Sequence, residues 1–340
     1  MGKPVIIMNK NKIHKVLSAS PFIPPELISA VGCKPIANLS AQTSACSHLP
    51  VMGICAYAKY YASQLGNLTA DDFAIFTTAC DQMRRISELA TSRTQAKVFL
   101  FNMPTTWQSK NARNLYKSEL DRLAKTLSRA SKIELNDEKL FQQILRFDKL
   151  RTQLRSAIKN ISATQACKIF DYFREHNSLP EINKCPSKSP CENAPKIALL
   201  GGPVLHRDRW LLEEIESAGG CISLDATTTG LRSLPGNYDL EIAKTNPVQA
   251  MTNLYFDTIW DAFRRPDFKL YDWLNSQIAE QNISGIILHR YVWCDTWQAV
   301  VSTLENRTNL PVLNLDSDDE DLSNRQRIKI RIQAFLEMLS

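Results

Sequence analysis

Three cysteines stand where thiols could do shared chemistry: Cys55, Cys80 and Cys294. Each falls where an irregular or strand-like run hands over to a helical pattern. Val51-Met-Gly-Ile54 leads into Cys55, and Ala56 to Leu65 follows with helical character. Phe73-Ala-Ile-Phe-Thr77 leads to Cys80, after which Asp81-Gln-Met-Arg-Arg-Ile-Ser-Glu88 opens a helix. Gly285-Ile-Ile-Leu288 and a short loop lead to Cys294, and an aspartate, Asp295, again comes next. In open α/β sheets ligands bind outside the carboxyl ends of the strands. A helix N-terminus stabilises negative charge and so favours a thiolate. Three thiols so placed point to one metal site assembled from distant parts of the chain.

The remaining cysteines read differently. The chain has nine, an odd number: Cys33, Cys46, Cys167, Cys185, Cys191 and Cys221 complete the set. Without a leader sequence, metal or redox chemistry is expected before a disulfide framework. Cys33, Cys167 and Cys221 read as small buried hydrophobes. Cys185 and Cys191 lie in a loop with no second pair to complete a metal site, and Cys46 is left open. No Cys-x-x-Cys spacing is present.

Other motifs are weaker. There is no Gly-x-Gly-x-x-Gly and no phosphate-binding Gly-x-x-x-x-Gly-Lys-Ser/Thr, so the chain reads as neither an ATPase nor an ordinary dinucleotide dehydrogenase. Gly201-Gly202 marks either a tight turn or a close approach to phosphate. His206, Arg207 and Arg209 read as a solvated helix face. Asp316-Ser-Asp-Asp-Glu-Asp321 lacks calcium-loop spacing and reads as a solvated loop. His289 with Cys294 raises a thiol–imidazole hydrolase only weakly, for want of an orienting partner.

These residues need a scaffold. At 340 residues the chain is long enough for two domains. A hydrophobic fraction of 44% and a charged fraction of 22% are those of a globular protein with a sizeable core. The net charge of +6 is dispersed and calls for no nucleic acid, though it suits a polyanionic small ligand. No apolar run approaches the roughly 18 residues that span a bilayer, and no signal peptide is evident, so a cytoplasmic location is expected. Strand and helix patterns alternate in both halves, predicting an α/β fold with two Rossmann-like or flavodoxin-like parallel-sheet domains and an intervening helical segment. Helices are predicted over 109–131, 137–161, 163–176, 208–218, 247–263, 270–281 and 323–339. Strands are predicted at Lys97–Phe101, Lys196–Leu200, Cys221–Leu224, Gly285–Leu288 and Pro311–Leu315, with candidates at Lys34–Leu39 and Phe73–Thr77. The Pro-rich strip 181–195 divides the chain into an N-terminal domain, 1–180, and a C-terminal domain, 196–340.

In order along the chain come Pro24-Pro25-Glu26-Leu27 with Gly32, Cys55 before a helix, Cys80-Asp-Gln-Met-Arg-Arg85, Gly201-Gly202-Pro203, Trp293-Cys294-Asp295 and Arg327-Ile-Lys-Ile-Arg-Ile-Gln-Ala-Phe-Leu-Glu337. Together these resemble the catalytic component of the 2-hydroxyacyl-CoA dehydratase and benzoyl-CoA reductase family, over nearly the whole chain. The resemblance implies a [4Fe-4S] cluster held by Cys55, Cys80 and Cys294, with an iron position that can open to substrate. It implies an acyl-CoA substrate and radical elimination of water through a ketyl, or the related reduction of an aromatic acyl-CoA. It also implies a paralogous partner subunit, or a second copy of the chain, and a separate ATP-hydrolysing iron–sulfur activator. Gly230-Leu-Arg232 resembles a family segment loosely. Arg232 would meet a CoA phosphate or, as the favoured alternative, form a structural salt bridge. A homodimeric double-cubane reductase and a non-catalytic electron-relay or assembly subunit are the competing readings. The identity of the acyl group and of the subunit stays open.

Overall fold

The computed structural model describes residues 13–18, 20–37, 53–181, 194–317 and 322–340. Cys46, Cys185 and Cys191, and most of the Pro-rich strip, lie outside the described residues.

The first half runs β1 (Lys15–Leu17), α1 (Pro25–Ala30), β2 (Lys34–Ile36), α2 (Ala56–Gln64), β3 (Phe73–Thr77), α3 (Asp81–Arg93), β4 (Lys97–Phe101), α4 (Lys110–Ser131), α5 (Asp137–Ile158) and α6 (Ala163–His176). The second runs β5 (Lys196–Gly201), α7 (Trp210–Ser217), β6 (Cys221–Thr227), α8 (Leu240–Thr245), α9 (Pro247–Met251), α10 (Phe268–Gln281), β7 (Gly285–Tyr291), α11 (Asp295–Thr308), β8 (Val312–Ser317) and α12 (Leu322–Leu339). The strands form two four-stranded sheets, ordered β2-β1-β3-β4 and β6-β5-β7-β8. Every pairing is parallel. The chain is thus an α/β protein with the same strand order in each half, the order of flavodoxin-like sheets.

Period-two alternation builds both cores. Phe73 and Ile75 of β3 face one cluster, with Leu120, Leu123 and Leu127 of α4. Ala74 and Phe76 face the other, with Tyr61 of α2 and Ile86 of α3. In the second sheet Ile197 and Leu199 pack on α7 and α12, while Ala198 and Leu200 pack on α10 and α11. A central parallel strand is covered on both faces, so it reads as a continuous apolar run. The helix starts are capped as their residue types dictate. Ser109 Oγ, Asn136 Oδ1 and Ser162 Oγ accept from the backbone N–H three residues on, at 3.1, 2.9 and 3.2 Å.

Three differences from the sequence reading have local causes. The strand β1 is only three residues long, too short for alternation to register, yet it lies between β2 and β3. The helix expected over 247–263 passes into a π-helical turn at Thr252–Phe256 and ends at Thr258. Beyond it the Trp260 carbonyl accepts from Arg232 Nη1 at 2.9 Å instead of from a following turn. The residues 316–317, read as the start of a solvated acidic loop, close β8, where Asp316 pairs with Arg290 at 2.8 Å.

The two halves share a core. Tyr238, Met251, Tyr255 and Phe256 pack with Val16, Phe22 and Tyr116 of the first half. A buried polar knot reinforces them. Arg151 of α5 donates to Glu26 of α1 at 2.6 Å, and the Tyr238 and Tyr255 hydroxyls donate to the same carboxylate at 3.1 and 2.8 Å. Burial alone would push the Arg151 guanidinium down, but Glu26 holds it above its ordinary range.

Gly201 ends β5 at φ +142°, and a Cβ built there would lie 1.9 Å from the carbonyl oxygen of His289 on β7. Neither the backbone region nor the space admits a side chain. Gly201→Ala is expected to lower unfolding free energy by about 2–4 kcal/mol, read as a shift of the denaturant midpoint. An unchanged midpoint would mean the two strands do not approach this closely.

Candidate metal centre

Cys55, Cys80 and Cys294 are the N-cap residues of α2, α3 and α11. Local chemistry places each one. Cys55 Sγ accepts from the Ala58 N–H at 3.4 Å, as an N-cap side chain should. Gln82, in the first turn of α3, accepts the Cys55 N–H through Oε1 at 3.3 Å, so the start of α3 braces the cap of α2. Cys294 is reached by a turn in which its N–H donates to the Tyr291 carbonyl at 3.0 Å. All three thiols are free.

The three line one chamber of about 120 Å³. It lies where the carboxyl ends of both sheets converge. Ser20 and Pro21 follow β1, and Thr77 and Ala79 close β3. Gly202 and Pro203 follow β5, and Tyr291 ends β7. These are the neighbours of the crossover points β1/β3 and β5/β7, where open α/β sheets bind ligands. Phe22, Ile75, Met83, Phe263 and Trp297 give the chamber apolar walls. Behind it Tyr291 donates to Asp208 at 2.7 Å and accepts from the Leu205 N–H at 3.0 Å. That pins the segment after β5 to β7.

Electrostatics here oppose three bare thiolates. Burial pushes Cys55 up to about 12, with Cys80 and Cys294 adding to the rise and the Ala58 N–H opposing it. Burial pushes Cys294 up to about 11, aided by Cys80 and Asp261 and opposed by the Trp297 N–H and Arg290. Cys80 moves up for the same first reason, against the N–H groups of Met83 and Gln82. Three thiolates lining one largely apolar chamber would need a compensating positive charge. Among the described residues no three His, Cys, Asp or Glu side chains are grouped to clasp a single ion. As donors, however, three thiols around a cavity are what a multi-iron cluster takes, since it is held by thiolates spread about its surface.

Arg232 is placed otherwise. It is 4% exposed, and all five of its N–H groups have partners inside the protein. Nε reaches the Ala226 carbonyl at 2.8 Å, Nη1 reaches Trp260 and Asp261 at 2.9 and 2.5 Å, and Nη2 reaches Gly201 and Thr228 at 2.9 and 2.7 Å. Cys33 and Cys167 are buried free thiols. Cys221, read as another, is instead disulfide-bonded. It opens β6, where its N–H donates to the Pro195 carbonyl at 2.9 Å, and it is buried as that reading expects. Arg209, read as part of a solvated face, is half-buried and pairs with Asp171 of α6. His289 sets Nε2 against Ser317 Oγ at 2.9 Å and is not among the residues lining the chamber.

Tyr57, Asp261 and Arg290 also line the chamber, and sequence reasoning missed all three. Tyr57 follows a cysteine already singled out by two residues, a separation that places both in one helical turn. Arg290 and Asp261 carry no sequence mark of their own.

Trp293 sits one residue before the third thiol at φ +72° and is 57% exposed. Left-handed backbone costs an ordinary residue about 1 kcal/mol. Glycine is free of that cost. Trp293→Gly should therefore unfold about 1 kcal/mol later than Trp293→Ala in denaturant, since the exposed ring is lost in both. Equal stability of the two variants would show that the turn before Cys294 is not left-handed.

The family model described as "2-hydroxyglutaryl-CoA dehydratase, D-component" matches residues 21–339. No curated protein matches. Among solved structures, the chain is similar to the SBP FpvC of Pseudomonas aeruginosa in complex with Mn2+, at 8% identity over 97% of this chain and 98% of that one, with a TM-score of 0.25. It is also similar to the laminin-binding protein Lmb of Streptococcus agalactiae, at 9% identity over 97% and 100%, with a TM-score of 0.23.

Proposed function

The chain belongs to the 2-hydroxyglutaryl-CoA dehydratase D-component family, and from that premise we propose that it is an iron–sulfur subunit of a 2-hydroxyacyl-CoA dehydratase. The observation that carries the reading is that three free thiols, each capping a helix and drawn from both halves of the chain, line one chamber. Cys55, Cys80 and Cys294 would hold a [4Fe-4S] cluster. When bound, such a group supplies one-electron chemistry and an iron able to act as a Lewis acid.

The remaining work belongs to the protein. The N–H groups at the starts of α2, α3 and α11 stabilise the negative charge of the thiolates. Phe22, Ile75, Met83 and Phe263 exclude water, so that charge–dipole interactions inside the chamber gain strength. Tyr57, Ser20, Thr77 and Thr228 are hydroxyl-bearing residues of the cavity lining. They offer donors and acceptors to the hydroxyl and carbonyl of a bound acyl group. Arg290, held by Asp316, supplies positive charge beside Cys294, and its buried Nε has no partner among the described residues. Arg232 is a positioning residue, tying the loop after β5 and Thr228 to Asp261 on the chamber wall. A separate paralogous subunit and an ATP-hydrolysing activator complete the proposed system. No helix among the described residues is long and apolar enough to cross a membrane, which suits a cytoplasmic enzyme.

Anaerobic purification with iron and sulfide analysis, and an EPR spectrum after reduction, tests the reading. About four irons per chain with a cubane signal are expected. Absence of iron after reconstitution would remove the cluster and with it the proposed chemistry.

A further inference from the structure

Three guanidiniums stand around the thiol chamber, and they are not equally satisfied. Arg232 is taken up by Asp261 and by backbone carbonyls. Arg290, on β7, lines the chamber itself. Its side chain is 12% exposed and its Nη2 pairs with Asp316 at 2.8 Å. Its Nε is buried with no partner among the described residues. Arg264 follows Phe263 of the chamber wall, and its backbone N–H donates to the carbonyl of Asp261, on the same wall, at 3.0 Å.

Arg264 is the least satisfied of the three. It is 1% exposed. Its guanidinium lies 4.3, 5.6 and 5.9 Å from the ring centres of Phe256, Trp260 and Phe22. Nη2 donates to the Phe256 carbonyl at 3.2 Å, whereas Nε and Nη1 are buried with no partner among the described residues. The acids that act on it, Asp257 and Asp261, are paired with Arg113 and Arg232. Burial pushes Arg264 down to about 10, opposed by Tyr116, Asp257 and Asp261, so it stays charged at neutral pH. An unpaired buried cation costs stability, and aromatic faces return only part of that cost. An arginine kept in such a place points to a negative charge that comes to meet it.

The charge count says where. The three guanidiniums have two carboxylate partners, Asp261 and Asp316, which leaves one positive charge over. Three thiolates in the chamber would reverse that balance. The N–H groups at the starts of α2, α3 and α11 offset part of their charge. A fixed cation behind the wall offsets more, and most of all when an added electron deepens the negative charge. The potential of an iron–sulfur centre follows its net charge and the hydrogen bonds to its sulfurs. Arg264 supplies charge from within an aromatic cage. Arg290 supplies charge beside Cys294 together with an open Nε donor.

We propose that Arg264 and Arg290 are the countercharge of the thiol centre and raise the reduction potential of the cluster it holds. This rests on the cluster reading above and adds to it the residues that set the potential. Neither arginine is a ligand, so each can be neutralised with the three thiols intact.

Mediated potentiometric titration of the full-length protein, purified without oxygen and followed by EPR, tests this. Arg264→Met should keep full iron and move the potential downward, so that the ratio of reduced to oxidised cluster at one poised potential falls at least about tenfold. The shift should persist at high salt, because a buried charge is little screened. The denaturant midpoint of Arg264→Met should hold or rise, since an unpaired charge is removed. Phe256→Leu loosens the same cage without touching a charge. It should lower the midpoint and leave the potential in place. Arg290→Gln should lower the potential, Arg290→Lys should keep most of it, and the shifts of Arg264→Met and Arg290→Gln should add. The two sites are read separately, so failure of one variant to fold leaves the other to decide. Full iron with an unmoved potential in Arg264→Met and Arg290→Gln would overturn the proposal and leave the cluster reading standing. An equal shift in Phe256→Leu would overturn it in favour of packing. Absence of iron from the unaltered protein would overturn both.

Discussion

Cys80→Ala is expected to leave the anaerobically purified protein colourless, with iron and sulfide falling from about four per chain to near zero. Cys294→Ala should behave alike. Cys167→Ala should keep the brown colour and the full iron content. The contrast is built on placement, because all three residues are free cysteines at least largely enclosed by protein. Cys80 and Cys294 cap helices and line the shared chamber. Cys167 lies inside α6, where its thiol faces Asp171 at 3.9 Å and packs with Leu211 and Ile215. Two thiols and an alanine leave one side of the proposed cluster unheld, and a cluster with two protein ligands is readily lost. A Cys80→Ala protein that keeps full iron would overturn the ligand assignment. A Cys167→Ala protein that loses it would point to a second site.

How far this centre was legible follows from where each signal lies. The three thiols are marked locally. Each precedes a residue run that starts a helix, and two are followed by aspartate, so a short window holds the whole signal. The sheets were legible for the same reason, since Phe73–Thr77 and Lys196–Gly201 are short apolar runs bounded by turn residues. Asp261 and Arg290 were not. They are two charged residues among many, and they meet the chamber only because the two sheets present their carboxyl edges to each other. Residues 238–263 show the same limit at the scale of packing. They follow the Pro-rich strip by more than forty residues, yet Tyr238, Tyr255 and Phe263 pack into the core of the first half. Arg151 and Arg174 show it again: they lie on different helices and line one cavity only in the folded chain.

Arg232→Met is expected to be the most damaging of the substitutions away from the thiols, lowering unfolding free energy by about 3–5 kcal/mol. The side chain of Arg232 is 1% exposed and that of its partner Asp261 is 14% exposed. Removing the cation leaves the Asp261 charge almost enclosed and unpaired. It also strips donors from the carbonyls of Ala226, Trp260 and Gly201. Those carbonyls hold together the end of β6, the stretch beyond the π-helical turn and the end of β5. Buried pairs have a second property that makes the argument testable. Breaking one is costly, whereas replacing both partners with apolar groups is often nearly neutral. The double variant Arg232→Met with Asp261→Leu should therefore recover a large part of the loss. Denaturant titration of the wild type, both single variants and the double variant closes the cycle. Additive losses would show that the pair is not coupled. A stable Arg232→Met protein with weakened affinity for a CoA thioester would reassign Arg232 from positioning the chamber wall to touching the ligand. The expected coupling instead makes Arg232 the brace that keeps Asp261 beside Cys80 and Cys294, so its loss should also lower iron retention in protein that still folds.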